Sequence, residues 1–147
     1  MRSPLLLTEK GIETVATFTC PGRRISKVIH FILDTGSGLS FLGHKDALQA
    51  DIDFDNLPQY GKPVAGFGGA ADARHIPEAC YVYVDFDNEL HEVELEGGIL
   101  VYRPSRKGAK HWKMEGSVSL LGRDFLDRSG CKLVVNLPDE AYFEKEG

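Results

Sequence analysis

The residue that most invites a chemical reading is Asp34. It ends the most apolar run of the chain, Val28-Ile29-His30-Phe31-Ile32-Leu33, and is followed at once by Thr35-Gly36. An Asp on a tight turn at the margin of a core has two readings. It can cap the turn through its own backbone, as Asp beside Gly commonly does, or it can serve as a general acid or base. One carboxylate alone does little to an amide, because hydrolysis needs one group to activate water and another to protonate the carbonyl or the departing nitrogen. Two carboxylates about 3 Å apart do both jobs, since they cannot both ionise and so share a proton. Asp-Thr-Gly occurs once in the 147 residues. A twofold axis beside Asp34 would supply the second copy, which makes homodimerisation part of any such mechanism.

Other groups offer less. The stretch Val64-Ala65-Gly66-Phe67-Gly68-Gly69 is no nucleotide loop, because no Lys-Ser or Lys-Thr follows it and its surroundings are strand-like with no ensuing helix. It is either the tip of an ordinary long hairpin or a lid, for which glycine makes local motion cheap. His30 reads as a strand histidine with its hydrogen bonds satisfied, and His44, His75, His91 and His111 have no supporting cluster. Cys20, Cys80 and Cys131 are odd in number and widely spaced, without zinc-knuckle spacing. They read as free thiols, Cys131 as a buried one, with a single disulfide and one thiol left over as the alternative. The run Arg103-Pro104-Ser105-Arg106-Lys107-Gly108-Ala109-Lys110-His111-Trp112-Lys113 mixes cations with an aromatic. It is a solvated loop over a sheet edge or, alternatively, a nucleic-acid contact.

Strands must position these residues. The region Ile12 to Cys20 is β-like, and Val28 to Leu33 has the length and β-branched content of a buried strand. Leu39 to Gly43 predicts a short strand and His44 to Ala50 a helix of about two turns. Tyr60 to Phe67 and Ala79 to Phe86 predict the two arms of a hairpin around the glycines. A turn at Asp87-Asn88 leads to strands holding Leu90 to Leu95 and Ile99 to Tyr102. Val118 to Leu121 and Cys131 to Val135 are strands flanking a helix over Arg123 to Ser129, which glycines bound on both sides. Ala141 to Glu144 predicts a last strand. Residues 103–116 read as a surface insertion, with Trp112 and Met114 laid back on the body. Together these elements predict an all-β domain spanning 1–147, with two short helices.

Composition agrees with one globular domain, at 42% hydrophobic and 27% charged residues. The formal charge of -5, from 17 Lys+Arg against 22 Asp+Glu, argues against a nucleic-acid or acidic-membrane surface. The apolar Leu5-Leu6-Leu7 is followed at once by Thr8-Glu9-Lys10, too short for a signal-peptide core. No stretch has the length to span a bilayer as a helix. A soluble, cytoplasmic protein is the expectation.

Three blocks resemble, in the same order, the retroviral-type aspartic proteases or retropepsins. They are Phe31-Ile32-Leu33-Asp34-Thr35-Gly36-Ser37-Gly38, the glycine-rich Val64 to Gly69, and Leu120-Leu121-Gly122-Arg123-Asp124-Phe125-Leu126 followed by Gly130-Cys131-Lys132-Leu133. The resemblance implies a pepsin-like, single-lobe acid protease barrel. It implies that Asp34 is catalytic, that Thr35 hydrogen-bonds across a dimer axis, that Gly36 permits the tight turn, and that Ser37 donates to the outer oxygen of Asp34. Gly66, Phe67, Gly68 and Gly69 would form a flap over bound peptide. Leu121, Gly122 and Arg123 would form the floor and helix beneath the catalytic loop. In retroviral members the matching arginine pairs with an aspartate soon after the triplet. Here Gly38, Leu39 and Ser40 follow, and the next acid is Asp46. The activity implied is an aspartic-type endopeptidase cutting extended peptides with an Asp dyad shared across a homodimer, with no metal and no organic cofactor. Segments Pro4 to Leu7 and Ala141 to Glu144 are candidate pairing strands of that dimer. The alternative is an inactive dimerisation or peptide-binding module of the same fold.

Overall fold

Alternation of core-facing and outward residues builds most of the molecule. In the computed structural model, which describes residues 1–61, 71–104 and 118–146, strand β3 (Gly11–Cys20) buries Thr14, Ala16, Phe18 and Cys20. Strand β4 (Ile25–Leu33) buries Ile25, Ile29, Phe31 and Leu33. The two pair antiparallel from Glu13↔Ile32 to Cys20↔Ile25. β4 is thus buried on one face and not on both, as its apolar run suggested: Val28 is 60% exposed, and His30 is exposed opposite Val15. A strand with one solvent face keeps a period of two, whatever the polarity of its outward residues.

The chain begins with β1 (Arg2–Pro4) and β2 (Leu6–Thr8), the latter pairing with the start of β3. After β4 come β5 (Phe41–Gly43) and the helix α1 (His44–Gln49). Next are β6 (Ala71–Ile76), β7 (Cys80–Phe86), β8 (Glu89–Leu95) and β9 (Ile99–Pro104). The end of the chain holds β10 (Ser119–Leu121), α2 (Arg123–Ser129), β11 (Lys132–Asn136) and β12 (Glu140–Glu144). Nine strands form one sheet along the path β6-β9-β5-β10-β4-β3-β7-β8, with β2 on β3. A second sheet has the order β1-β12-β11. The main core draws on Phe18, Ile29, Phe31, Val82, Phe86, Leu121, Phe125 and Phe143, so both sheets and α2 share it.

Several sequence expectations are met with shifted boundaries. Asp87 and Asn88, both at positive φ (50° and 71°), close the two-residue hairpin between β7 and β8, as a turn of that hand requires. Gly130 ends α2 in the left-handed region at φ 67°. β9 runs on through Pro104, so Arg103 and Pro104 belong to a strand and not to the expected insertion. The rest of that segment, with Trp112 and Met114, lies outside the described residues.

The expected hairpin is a correction. Ala79 to Phe86 is not its second arm, because β7 pairs with β3 and β8. The strand facing Gln59 is β6, through the bridge Gln59↔Arg74 and the bonds Tyr60 N–H to Ala73 O (3.1 Å) and His75 N–H to Pro58 O (2.9 Å). β6 reads Ala-Asp-Ala-Arg-His-Ile and hides its strand character behind charged residues. β7 alternates cleanly into the core and so takes a central place.

Cys20 and Cys80, far apart in sequence, come together. They are the next residues beyond the β3–β7 register pair Thr19↔Tyr81, and both are fully buried free thiols, that of Cys80 donating to Glu78 O at 3.4 Å. Burial, then the Cys20 neighbour, pushes the Cys80 thiol far above its ordinary range. Among the described residues no helix is long and apolar enough to cross a membrane.

Candidate active site

Strand order explains why Asp34 sits where it does. β10 lies between β4, to which it is parallel (Phe31↔Ser119, Leu33↔Leu121), and β5, to which it is antiparallel (Leu120↔Phe41). A chain leaving β4 for β5 must therefore arch over the end of β10. Asp34 opens that arch, and its N–H donates to Leu121 O at 2.9 Å, carrying the β4–β10 ladder one residue further. The arch then turns tightly, with Ser37 N–H donating to Asp34 O at 3.1 Å. Gly36 N–H donates to Asp34 Oδ1 at 3.0 Å. Asp34 is half-buried, while Thr35 and Gly36 are exposed. Ser37 does not serve Asp34 through its side chain as the resemblance implied. Its hydroxyl donates to Leu39 O at 2.7 Å, where it stiffens the arch itself.

Leu121, Gly122 and Arg123 lie against this arch. α2 has no side-chain cap at its start. Its first N–H groups are satisfied by arch carbonyls, Arg123 N–H to Ser37 O (2.8 Å) and Asp124 N–H to Gly38 O (3.2 Å). Gly122 is required by closeness. A Cβ there would lie 2.6 Å from both Leu39 O and Ser37 O. The Arg123 side chain is exposed, with Nη2 lying 3.4 Å from where a Cβ on Gly38 would be. No acid pairs with it among the described residues, in keeping with the departure at Gly38 to Ser40.

The sequence reading placed the Asp124 carboxylate favourably at the start of a helix but did not foresee its clamp on Ser40. Asp124 Oδ2 accepts the Ser40 N–H (3.0 Å), and Oδ1 accepts the Ser40 hydroxyl (2.6 Å) and the Phe125 N–H (2.7 Å). The buried Ser40 hydroxyl in turn accepts the Gly122 N–H at 3.0 Å. A carboxylate with three donors is strongly held, so the far end of the arch is pinned to the first turn of α2. A second clamp joins α1 to β10: buried Ser119 donates to Asp46 Oδ2 (2.6 Å) and accepts Gly43 N–H (3.0 Å). The signal available in sequence was an acid in the first turn of a short helix, where the dipole favours it.

A cleft of about 420 Å³ opens beside the arch, lined by Leu39, Ser40, Tyr60, His75, Leu100 and Asp124 among others. It runs from the arch to the arms that hold Tyr60 and His75. The expected flap residues Gly66, Phe67, Gly68 and Gly69 lie outside the described residues.

No protein-family model matches the sequence, and no curated protein matches it. Solved structures do. The chain is similar to a retropepsin-like aspartic protease from Rickettsia conorii, with a TM-score of 0.52 and 16% identity, covering 97% of this chain and 89% of that one. It also matches EIAV protease complexed with the inhibitor HBY-793, with a TM-score of 0.46 and 20% identity, covering 84% of this chain and 91% of that one. At 16% identity the likeness to the Rickettsia conorii structure speaks for the fold alone. The chain has the single-lobe retropepsin-like fold, mostly β with two short α-helices among the described residues.

Proposed function

We propose that the protein is an aspartic-type endopeptidase whose active site is completed by a second copy of the chain. The observation that carries this reading is the placement of Asp34. It sits half-buried on an arch bolted at both ends to β10 and α2, with one carboxylate oxygen held by Gly36 N–H. The Gly36 bond is the cap that an Asp in any such turn could make, so the weight falls on the anchored arch, which suits a group that must meet its own symmetry mate at a set distance. The fold neighbour from Rickettsia conorii, described as an aspartic protease, supports the same reading.

In this mechanism a water lies between two Asp34 carboxylates that share one proton. The ionised carboxylate takes a proton from the water as its oxygen attacks the peptide carbonyl, and the protonated one gives its proton to the carbonyl oxygen. A tetrahedral diol results. Its collapse returns a proton through the dyad to the nitrogen as the C–N bond breaks, so no acyl-enzyme forms. Thr35, exposed in the arch, would bond its symmetry mate. An extended peptide would lie between the two copies across the paired Asp34 carboxylates, its backbone held as an added strand.

The test is Asp34→Asn, assayed on a mixture of extended peptides. The amide keeps the shape and the Gly36 bond but cannot cycle a proton, so hydrolysis is expected to fall at least about a thousandfold with unfolding unchanged. A folded Asp34→Asn protein with wild-type turnover would overturn the reading.

A further inference from the structure

The fold brings together two thiols that the proposed hydrolysis does not use. The register Thr17↔Tyr83, Phe18↔Val82 and Thr19↔Tyr81 puts Cys20 and Cys80 next in line on β3 and β7. Phe18 and Val82, two residues back on each strand, are fully buried, and so are both cysteines, so the period of two sets all four on the core side. Opposed residues of an antiparallel pair have Cα atoms about 4.5–5.5 Å apart, within the roughly 4.4–6.8 Å that a disulfide spans. Both thiols are free here. The third cysteine, Cys131, follows α2, with its thiol donating to Ser129 O at 3.5 Å.

The cover over this pair is made by two short turns. Cys20 is followed at once by the helical turn Pro21–Arg23, and Cys80 is preceded by Pro77-Glu78-Ala79. Pro21, Gly22, Arg24 and Pro77 are exposed. The turns abut: a Cβ on Gly22 would lie 3.5 Å from Glu78 Cγ, and the Cys80 thiol donates to Glu78 O at 3.4 Å. Arg23 Nε and Glu78 Oε2 close them at 2.7 Å, in an ion pair whose side chains are 30% and 38% exposed. An ion pair this open to water is a weak fastening, so opening at this end of the strands takes far less free energy than unfolding.

We infer that Cys20 and Cys80 are an oxidisable cross-strand pair, which a low-molecular-weight disulfide such as oxidised glutathione converts to an intrachain disulfide when the Arg23–Glu78 ion pair opens. In the first step one protein thiol gives its proton to water and its sulfur attacks a sulfur of the oxidant, whose S–S bond breaks and releases one thiolate. The second protein thiol, deprotonated in turn, attacks the protein sulfur of the mixed disulfide, forming the Cys20–Cys80 bond and releasing the second thiolate. The two released thiolates take up the two protons, so two protein thiols are oxidised and one small disulfide is reduced to two thiols. Burial disfavours the attacking thiolate, which leaves the closed protein inert and makes opening set the rate. The bond closes a loop from residue 20 to residue 80 that holds β4, the Asp34 arch, β5, α1 and β6. It would restrain the unfolded chain over the part that carries Asp34, whatever the arch catalyses.

The test takes the full chain with Cys131→Ser, incubates it in native buffer with oxidised glutathione, and follows thiol content and peptide mass mapping over time. The expected product has lost both thiols, has its Cys20 and Cys80 peptides joined, and melts about 5–10 °C above the reduced chain until dithiothreitol reverses the change. Thiols that persist until the protein unfolds, or a reaction that stops at the mixed disulfide with glutathione, would overturn the pair. The same mapping on wild type covers the case in which Cys131→Ser is unstable, and there a cross-link through Cys131 in place of Cys20–Cys80 would overturn it too. Glu78→Gln and Arg23→Gln then separate opening from charge. Both break the ion pair, so each should speed oxidation about two- to fivefold. If charge beside the Cys80 thiol set the rate instead, losing the Glu78 carboxylate would speed oxidation and losing the Arg23 cation would slow it. Opposite shifts, or no shift in either variant, would overturn the gating by this ion pair.

Discussion

At the scale of single residues, the arch depends on a missing side chain as much as on those present. Gly122 has φ -98° and ψ -164°, a backbone any residue can adopt, so its need for glycine is steric. The oxygens that a Cβ would strike, Ser37 O and Leu39 O, belong to the arch, and both are backbone atoms that cannot rotate away. Gly122→Ala is therefore expected to cost about 2–4 kcal/mol in denaturant unfolding and to lower kcat/KM by displacing Asp34. Wild-type stability and turnover in that variant would show that the arch can yield without consequence. Asp34 and Gly122 were legible in the sequence because each falls in a short motif at the end of an apolar run. The clamp of Asp124 on Ser40 was not, since a polar bond between residues 84 apart follows no period and has no local signature.

At the scale of elements, strands with clean alternation were legible, and those whose outward residues mask the pattern were not. β7 and β8 announced themselves through Val82, Val84 and Phe86 and through the Asp87-Asn88 turn. β6 did not, and its partner was misassigned for that reason. α1 was legible as a helix, but its first residue had no visible role. The structure sets His44 edge-on to Phe54, with centroids 6.1 Å apart and a buried Nδ1 that has no hydrogen-bond partner. Desolvation, and then the nearby Arg103 cation, lower the His44 pKa from its ordinary value. The sign follows: as pH falls below the ordinary imidazole value, the unfolded chain binds a proton that the folded chain resists, so stability present at neutral pH is lost on mild acidification. His44→Phe is expected to flatten this dependence, visible as a smaller fall in Tm between neutral and mildly acidic buffers. An unchanged fall would assign the effect to other groups.

At the scale of the whole molecule, the sequence led correctly to a retropepsin-like lobe, while the last strand it offered for pairing between copies has both its neighbours, β1 and β11, within one chain. Whether two strands pair within a chain or between chains depends on the path between them, and the apolar pattern of Ala141 to Glu144 is the same in both cases. One consequence of the lobe is independent of which strands join two copies. If each active site needs two Asp34 carboxylates, a mixture of wild type and Asp34→Asn contains three kinds of dimer, and only the pure wild-type kind has both. Asp34→Asn preserves the arch, so the two chains should pair without preference. With wild-type fraction f at a fixed total subunit concentration well above the dimer dissociation constant, the active population is then f squared. An equimolar mixture, left until subunits have exchanged, is expected to retain about a quarter of the activity of wild type at the same total concentration. A chain with a self-contained site would retain about half, because each wild-type subunit would work whatever its partner. The whole curve of activity against f separates the two cases better than one point, since the first bends and the second is straight. A straight line from mixtures in which exchange has been verified by mass labelling would exclude the shared dyad, even if Asp34→Asn alone is inactive.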